Sequence, residues 1–191
     1  MSPREFLKYV EQPEWESPRY PWNSGPSDAL DAAWRDLLNA INIQVTPTEM
    51  DSVGENRTNR VRIENGNYIG ALGVYHHLHC LNNLRRVIHW DYYEPQLREV
   101  EHPEGFWKEH SATDHCIDVI RQAIMCHANM AVYVLEWADD ARLRVSTDLR
   151  SDARVTCANW DVLDNWARQR AVVAGRDHYL HAPVGSKVLE P

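Results

Sequence analysis

Residues 76 to 80 read HHLHC, which places three histidines and one cysteine within five positions of the chain. On a helix, His76 and His79 are three residues apart and Cys80 is four residues from His76, so these side chains share one face. Two imidazoles with this spacing can reach one metal ion. Imidazole nitrogens suit copper, zinc, nickel and iron. The motif therefore predicts a metal site on a helix.

A second His-Cys pair lies further along the chain. His115 and Cys116 are adjacent there, with His110 five residues upstream. If the two helices pack side by side, the histidines of both pairs meet at one point. Cys80 would then lie close enough to Cys116 to form a bridge. We expect one shared site between two antiparallel helices.

The identity of the metal depends on the state of the cysteines. If both thiols are used in a disulfide, the remaining ligands are all imidazoles, which favour copper. If the thiols are reduced, two cysteines and two histidines would form the tetrahedral set typical of structural zinc. The sequence spacing matches no standard zinc finger, so zinc is the weaker alternative.

The four cysteines are Cys80, Cys116, Cys126 and Cys157, and they allow three disulfide pairings. Disulfides are typical of a secretory compartment and reduced thiols of the cytosol. A glycosylation sequon at Asn56 fits the secretory compartment. The first ten residues lack the apolar segment of a signal peptide. We expect a location in the secretory lumen or outside the cell if an anchor was removed, and in the cytoplasm otherwise.

The sequence also predicts helices before and after the two His-Cys motifs. Ser27 is expected to cap one helix, and a capping box at Thr46 opens a short second helix. A final helix begins at Asn159, buries Trp166 and ends just before Gly175.

The two motif-bearing helices carry apolar stripes, which we expect to face the core. The second helical pattern is the longest in the chain. The stripes comprise Val74, Leu78, Leu81 and Ile88 in the first helix, and Ile117, Ile120, Ile124, Ala131 and Leu135 in the second.

Strand patterns are fewer. Alternation up to Ile63, a turn at Asn65-Gly66 and the resumption at Tyr68 predict a β-hairpin with a type I′ turn. Residues 141–145, ARLRV, predict another strand. The fold class is therefore mainly α (α+β): a compact helical domain around the two His/Cys-bearing helices, with a small β-hairpin.

One domain is expected from a chain of 191 residues. Residues 1–26 are rich in proline and predict an extended N-terminal arm, held to the domain by Trp15 and Trp22. The domain itself covers residues 27–175, and residues 176–191 form a loose tail.

Charge and hydropathy exclude two classes of partner. The net charge is -8 and no basic stripe is present, so a nucleic-acid partner is not expected. The longest apolar run, residues 130–138, is far shorter than the roughly 20 residues that a membrane-spanning helix needs. We expect no membrane span in this sequence.

The motifs, taken in order, resemble the fungal UstYa-like family. HHLHC and the later DHCIDVIRQAIMC are preceded by DALDAAWRDLL and followed by CANWDVLDNWARQRAV, so the resemblance covers about residues 16–173. It identifies residues 27–175 as a UstYa-like catalytic domain. Members of this family are associated with oxidative tailoring in secondary metabolism, with copper dependence in several cases. Most carry an N-terminal membrane anchor.

The second motif departs from the family pattern, which is HxxHC twice. His115 and Cys116 match, but Ala112 stands where the family has a histidine. His110 lies two residues too early and could replace that ligand only if the start of the helix unwinds. Val155 stands where many relatives have a histidine before the last cysteine. Such a site could still bind copper through three histidines, or could serve a metal-independent cyclisation.

The resemblance implies a copper-dependent tailoring enzyme of fungal secondary metabolism. The implied reaction is oxidative cyclisation, hydroxylation or a related C–H functionalisation of a peptide or polyketide intermediate. His76, His79 and His115 would hold the metal, with His110 as a fourth ligand, and the four cysteines would form structural disulfides.

Two alternatives stay open. One is a redox-neutral cyclase or isomerase that uses the same histidines as general acid and base. The other is a zinc-stabilised binding or assembly module without turnover, which partners an enzyme. In each case the chain could form a homo- or hetero-oligomer.

Overall fold

Six helices and six short strands make up the described part of the chain. The computed structural model describes residues 7–13, 21–22, 24–58, 60–98, 110–132, 134–138, 146–151 and 153–173, without the side chains of 97–98, 110–112, 134–138 and 146–150. The strand expected at 141–145 and the tail at 176–191 lie outside these residues. The helices are α1 (Asp28–Leu37), α2 (Pro47–Ser52), α3 (Gly73–Ile88), α4 (Trp90–Arg98), α5 (His110–Cys126) and α6 (Trp160–Arg168). The strands are β1 (Tyr9–Pro13), β2 (Ile43–Val45), β3 (Tyr68–Gly70), β4 (Val134–Ala138), β5 (Ser146–Arg150) and β6 (Arg154–Ala158).

The mainly α (α+β) class is confirmed, and so are the predicted helix starts. Ser27 Oγ accepts a hydrogen bond of 3.2 Å from the backbone N–H three residues ahead. Thr46 and Glu49 form the reciprocal capping box at the start of α2. Asn159 Oδ1 accepts a 3.2 Å hydrogen bond in the same way at the start of α6. Each cap satisfies a backbone donor that the first helical turn leaves unpaired.

The predicted end of the last helix is wrong. Helix α6 ends at Arg168, well before Gly175. The chain leaves the helix to lie along β2, where the Gln44 N–H donates to the Arg170 C=O at 2.8 Å. This pairing with a distant strand outweighs the local preference for further helix.

The chain turns back here, but not through the predicted two-residue type I′ turn at Asn65-Gly66. The Gly66 N–H donates to the Ile63 C=O at 2.9 Å, so Glu64 and Asn65 are the central residues and Gly66 follows them with a φ of +88°. Residues 62 and 68 form an isolated antiparallel bridge. Strand β3, however, pairs along its length with β2, in the antiparallel register Ile43↔Gly70. The main partner of this strand therefore comes from an earlier segment rather than from the strand before the turn.

The N-terminal arm is fixed to the domain by a strand. β1 pairs with β6 in an antiparallel two-stranded sheet. Further along the arm, Trp22 packs edge-on against Trp34 with ring centroids 5.3 Å apart. Trp15 lies outside the described residues.

The core lies where α3, α6 and β2 meet. The Tyr75 hydroxyl donates to the Asp164 carboxylate on α6. Burial raises the pKa of Tyr75, and this hydrogen bond raises it further, so the phenol stays neutral. Because Tyr75 directly precedes His76, the contact fixes the rotation of α3. The buried cluster comprises Ala40, Ile43, Tyr75, Trp166 and Ala167.

Of the expected apolar stripe of α3, Val74 packs against the core cluster and the remainder does not. Leu81 is 46% exposed and Ile88 is 76% exposed. The buried positions of this helix are Tyr75, Cys80 and Asn82. Since consecutive residues are about 100° apart around a helix, burying Tyr75 turns the stripe of Leu81 away from the core.

The predicted apolar stripe of α5 is also wrong. Ile117 and Ile124 are exposed, and Cys116 is the buried residue. The helix also ends at Cys126, so Ala131 lies beyond it, and Leu135 belongs to β4.

A second polar contact holds α3 to its neighbours. The Arg85 guanidinium lies 2.8 Å from the Asp31 carboxylate on α1, and both side chains are 12% exposed. The Tyr93 hydroxyl on α4 donates to the same carboxylate at 2.7 Å. This network joins three helices.

No helix in the described part of the chain is both long enough and apolar enough to cross a membrane.

Candidate metal centre

Helices α3 and α5 pack against each other and bring three potential ligands together. His76 and Cys80 come from α3, and His115 comes from α5. One ring nitrogen of each histidine and the Cys80 Sγ all lie within 4.8 Å of one another. The ring centroids of His76 and His115 are 5.7 Å apart. The sequence prediction that imidazoles of the two motifs meet agrees with this geometry.

The donor set fits a metal ion. Ligand atoms lie about 2.0–2.3 Å from zinc, so two ligands of one such ion are at most about 4.6 Å apart. The three atoms described here lie within 4.8 Å of one another, so they suit one ion with at most small rotations of the side chains. His76 and His115 reach the solvent and Cys80 is buried, so an ion can enter from the histidine side.

Cys80 lies in hydrogen-bond contact with Cys116, and both thiols are buried. Burial raises the pKa of Cys80 to about 12, with a further contribution from the hydrogen bond to Cys116. At neutral pH the group is therefore a thiol, and a metal bound to it must displace the proton.

The predicted disulfides are not confirmed, because all four cysteines are free thiols in this structure. Cys80 and Cys116 are nevertheless neighbours, as expected. Cys126 is exposed, and the half-buried Cys157 accepts a 3.2 Å hydrogen bond from the Gln12 side-chain amide.

His79 does not join the three converging ligands. Its Nε2 lies 3.1 Å from Nδ2 of Asn83, one turn further along α3. Burial lowers the pKa of His79, and the charges of His76 and Arg86 lower it further, so the ring is a neutral imidazole near pH 7. His110 is the first residue of α5, and its side chain lies outside the described part of the chain.

The sequence interpretation assigned Cys80 chiefly to another role. It was expected to form a disulfide, whereas its Sγ lies among the imidazoles. Its position four residues after His76 is the signal that supports a ligand role, because side chains at that spacing lie next to each other on a helix.

The glycosylation prediction concerns Asn56, which lies in an exposed loop. Its Oδ1 accepts a 2.8 Å hydrogen bond from the Thr58 N–H, as in an Asx turn. The side chain is accessible, and modification of Asn56 stays a prediction.

Comparison with known proteins places these motifs in a family. The chain matches the family model described as mycotoxin biosynthesis protein UstYa over residues 4–170. It is similar to UstYa family oxidase phomYc of Diaporthe leptostromiformis, with 30% identity over 159 residues, which are 80% of this chain and 60% of that protein.

Two further relatives come from other fungi. UstYa family oxidase aprY of Aspergillus flavus is 28% identical over 118 residues, covering 61% of this chain and 34% of that protein. UstYa family oxidase VicYb of Bipolaris victoriae is 29% identical over 111 residues, covering 56% and 86%. The chain thus spans less than two thirds of the length of the Diaporthe and Aspergillus relatives. No solved structure matches it. Since the family model covers most of the chain, including both helices of the metal centre, this protein belongs to the UstYa family.

Proposed function

We propose that this protein is a copper-dependent oxidative tailoring enzyme that acts on a peptide or polyketide intermediate of fungal secondary metabolism. The observation that supports it is the convergence of His76, Cys80 and His115 from two helices at a point open to solvent. The names of the relatives support the same class, since phomYc, aprY and VicYb are each called a UstYa family oxidase.

Several residues of the centre would act as ligands of the metal. His76 and His115 would hold copper through neutral ring nitrogens, with the Cys80 Sγ as a third donor after loss of its proton. His79 remains a proposed ligand and would have to leave Asn83 to act. His110 remains the proposed substitute for the histidine that the second motif lacks.

A bound copper ion would supply one-electron redox chemistry, with dioxygen or a peroxide-level oxidant accepting the electrons. The protein would hold a C–H or phenolic group of the substrate next to the centre, where fixed orientation lowers the barrier. His76 and His115 lie on the solvent side of the buried thiols, so a substrate can approach them directly.

A second function, a zinc-stabilised module without turnover, is favoured by one observation. The free thiols of Cys80 and Cys116 are in contact beside two histidines. Two thiolates and two imidazoles are a common set for structural zinc. In that case the metal would stabilise the α3–α5 pair and a different protein would carry out the chemistry.

Elemental analysis of the purified full chain tests the metal assignment. Stoichiometric copper, lost in His76→Ala and in His115→Ala, is the expected result. His89→Ala is the matched control, because His89 is an exposed histidine at the end of the same helix α3. Retention of copper in both His76→Ala and His115→Ala would show that the point where these histidines meet is not the metal centre.

Turnover tests the activity. Co-expression with the genes that neighbour this one in the fungal genome should yield a product that differs from its precursor by lost hydrogen or gained oxygen. The product should be absent with His76→Ala. Zinc in place of copper, with metal-dependent melting and no product, would support the zinc module. Full turnover after exhaustive chelation would support the redox-neutral cyclase.

A further inference from the structure

Two segments of the chain diverge next to the β4–β5 hairpin. At the point where they diverge, the Ser151 hydroxyl donates to the Val132 C=O at 2.9 Å. From this point, residues 127–132 lead back to α5, and residues 153–157 run into β6. A cleft of about 730 Å³ lies between these two segments.

One edge of β6 faces away from β1. Next to the ladder, the Asn159 N–H donates to the Lys8 C=O at 2.7 Å, and the register continues from there along both strands. Hydrogen-bonded and non-hydrogen-bonded pairs alternate along an antiparallel ladder. The N–H and C=O groups of Arg154 and Thr156 therefore point away from β1. Among the described residues, no strand pairs with this edge.

The cleft lies at this open edge. Its β6 wall is made by consecutive residues, 153 to 157, and no β1 residue lines it. A cavity on a face of the sheet would be lined by alternate residues of both strands. The backbone groups of Arg154 and Thr156 are thus directed toward the cleft side of the strand.

A second cavity adjoins the cleft. It has a volume of about 390 Å³, lies between α3 and α5, and shares His127 and Asn129 with the cleft. On α5, Ile120 lines it, one helical turn beyond Cys116. Most of its lining is apolar and includes Val74, Leu78, Leu81, Ala123 and Ile124.

We propose that the cleft and this apolar cavity form one binding track for a peptide substrate. An extended segment of the peptide would add a strand to the open edge of β6, and an apolar side chain nearby would enter the cavity between α3 and α5. A peptide backbone offers the alternating N–H and C=O groups that Arg154 and Thr156 can pair with. A polyketide chain has no such N–H groups. The inference rests on the proposed function for the role of the metal, but strand addition itself requires no metal.

Hydrogen exchange of backbone amides, followed by NMR, tests the strand addition. The probe is an acetylated, amidated pentapeptide of alternating valine and threonine, added to the full chain in its metal-free and zinc-loaded forms. We expect slower exchange at Arg154 and Thr156. The amides of Val155 and Cys157 already pair with β1 and serve as the internal control. A peptide methylated on every backbone nitrogen cannot form the ladder and should give no protection.

Two proline variants at directly opposed positions separate the edges of the sheet. Thr156→Pro removes an N–H on the cleft side, and Glu11→Pro removes the equivalent N–H on the far edge of β1, since Glu11 and Thr156 are partners in the register. Proline is tolerated where the lost N–H points out of the ladder. Peptide binding should weaken about fivefold in Thr156→Pro, the value of one hydrogen bond, and stay unchanged in Glu11→Pro.

Three results would overturn the inference. They are absence of protection at Arg154 and Thr156, equal protection by the methylated peptide, and protection that rises with protein concentration without any peptide. The last would assign the β6 edge to a second copy of the chain. None of these results bears on the copper content of the protein, so none of them rejects the proposed function. Absence of copper binding together with normal peptide binding would reject the proposed function alone.

Discussion

Replacing Arg85 with methionine is expected to destabilise the protein by about 3 kcal/mol. Removing one partner of a buried ion pair leaves the other charge without compensation, at a cost of about 3–5 kcal/mol. The lower end applies because the side chains of Arg85 and Asp31 keep 12% of their exposure and Tyr93 still donates to the carboxylate. The guanidinium also stacks 4.8 Å from the Tyr93 ring centroid, and this contact would be lost.

The same substitution at an exposed pair provides the control. Arg121 lies 2.6 Å from Asp118 on α5, with side chains 54% and 52% exposed. Exposed pairs contribute about 0–1 kcal/mol, so Arg121→Met should change the free energy of unfolding by no more than that. For a domain of this size, 1 kcal/mol corresponds to about 2–4 °C in Tm. Arg85→Met should therefore lower Tm by about 6–12 °C and Arg121→Met by at most a few degrees.

Urea unfolding followed by tryptophan fluorescence gives the required free energies. A double-mutant cycle with Asp31→Asn should yield a coupling energy of about 1.5–3 kcal/mol, the range for hydrogen bonds to charged groups. A loss below about 1 kcal/mol for Arg85→Met, or a coupling energy near zero, would refute the reasoning. Either result would mean that the pair behaves like a surface ion pair and does not hold α3 to α1.

Three shorter predictions concern other contacts. Tyr75→Phe removes a buried hydrogen bond to a carboxylate and should cost about 1.5–3 kcal/mol in urea unfolding. Glu49 is desolvated, which raises its pKa, but hydrogen bonds from the Thr46 cap and the charge of a nearby arginine outweigh this, so its pKa lies below the ordinary 4.5. Its stabilising effect is therefore present at neutral pH and lost as the pH falls below that value, and the Tm gap between wild type and Glu49→Gln should close on acidification. Iodoacetamide labelling at pH 8 with mass spectrometry should modify the exposed Cys126 first and should reach the buried Cys80 only after unfolding.

Local signals in the sequence predicted the helix starts and the place where the chain turns back. The caps at Ser27, Thr46 and Asn159 use hydrogen bonds over three residues, so the pattern that predicts them is complete within a few positions. Strand pairings between segments far apart in the sequence have no such local signal. Strands β1 and β6 bring together residues that are far apart in the chain. Gln12 and Cys157, for example, are hydrogen-bonded and lie 145 positions apart. Nothing in either segment alone specifies that partner or its register.

The candidate site was predicted in outline and not in detail. The meeting of His76 and His115 followed from two His-Cys pairs on two helices. The placement of His79 did not, because its neighbour Asn83 competes for the ring nitrogen. Whether an i,i+3 histidine turns toward its partner depends on the hydrogen bonds available one turn away, which the spacing does not contain.

The error in the rotation of α3 has a physical cause that bears on function. Amphipathic periodicity assigns the apolar stripe of Leu78 and Leu81 to the core, but the hydrogen bond between Tyr75 and Asp164 turns another face inward. The helix therefore keeps apolar side chains along the cavity that it shares with α5. Apolar surface left at a cavity lowers stability relative to burial in the core, and such surface commonly marks a binding site. The contact that makes the prediction of the core wrong is thus the same one that leaves an apolar wall between α3 and α5 for a ligand to cover.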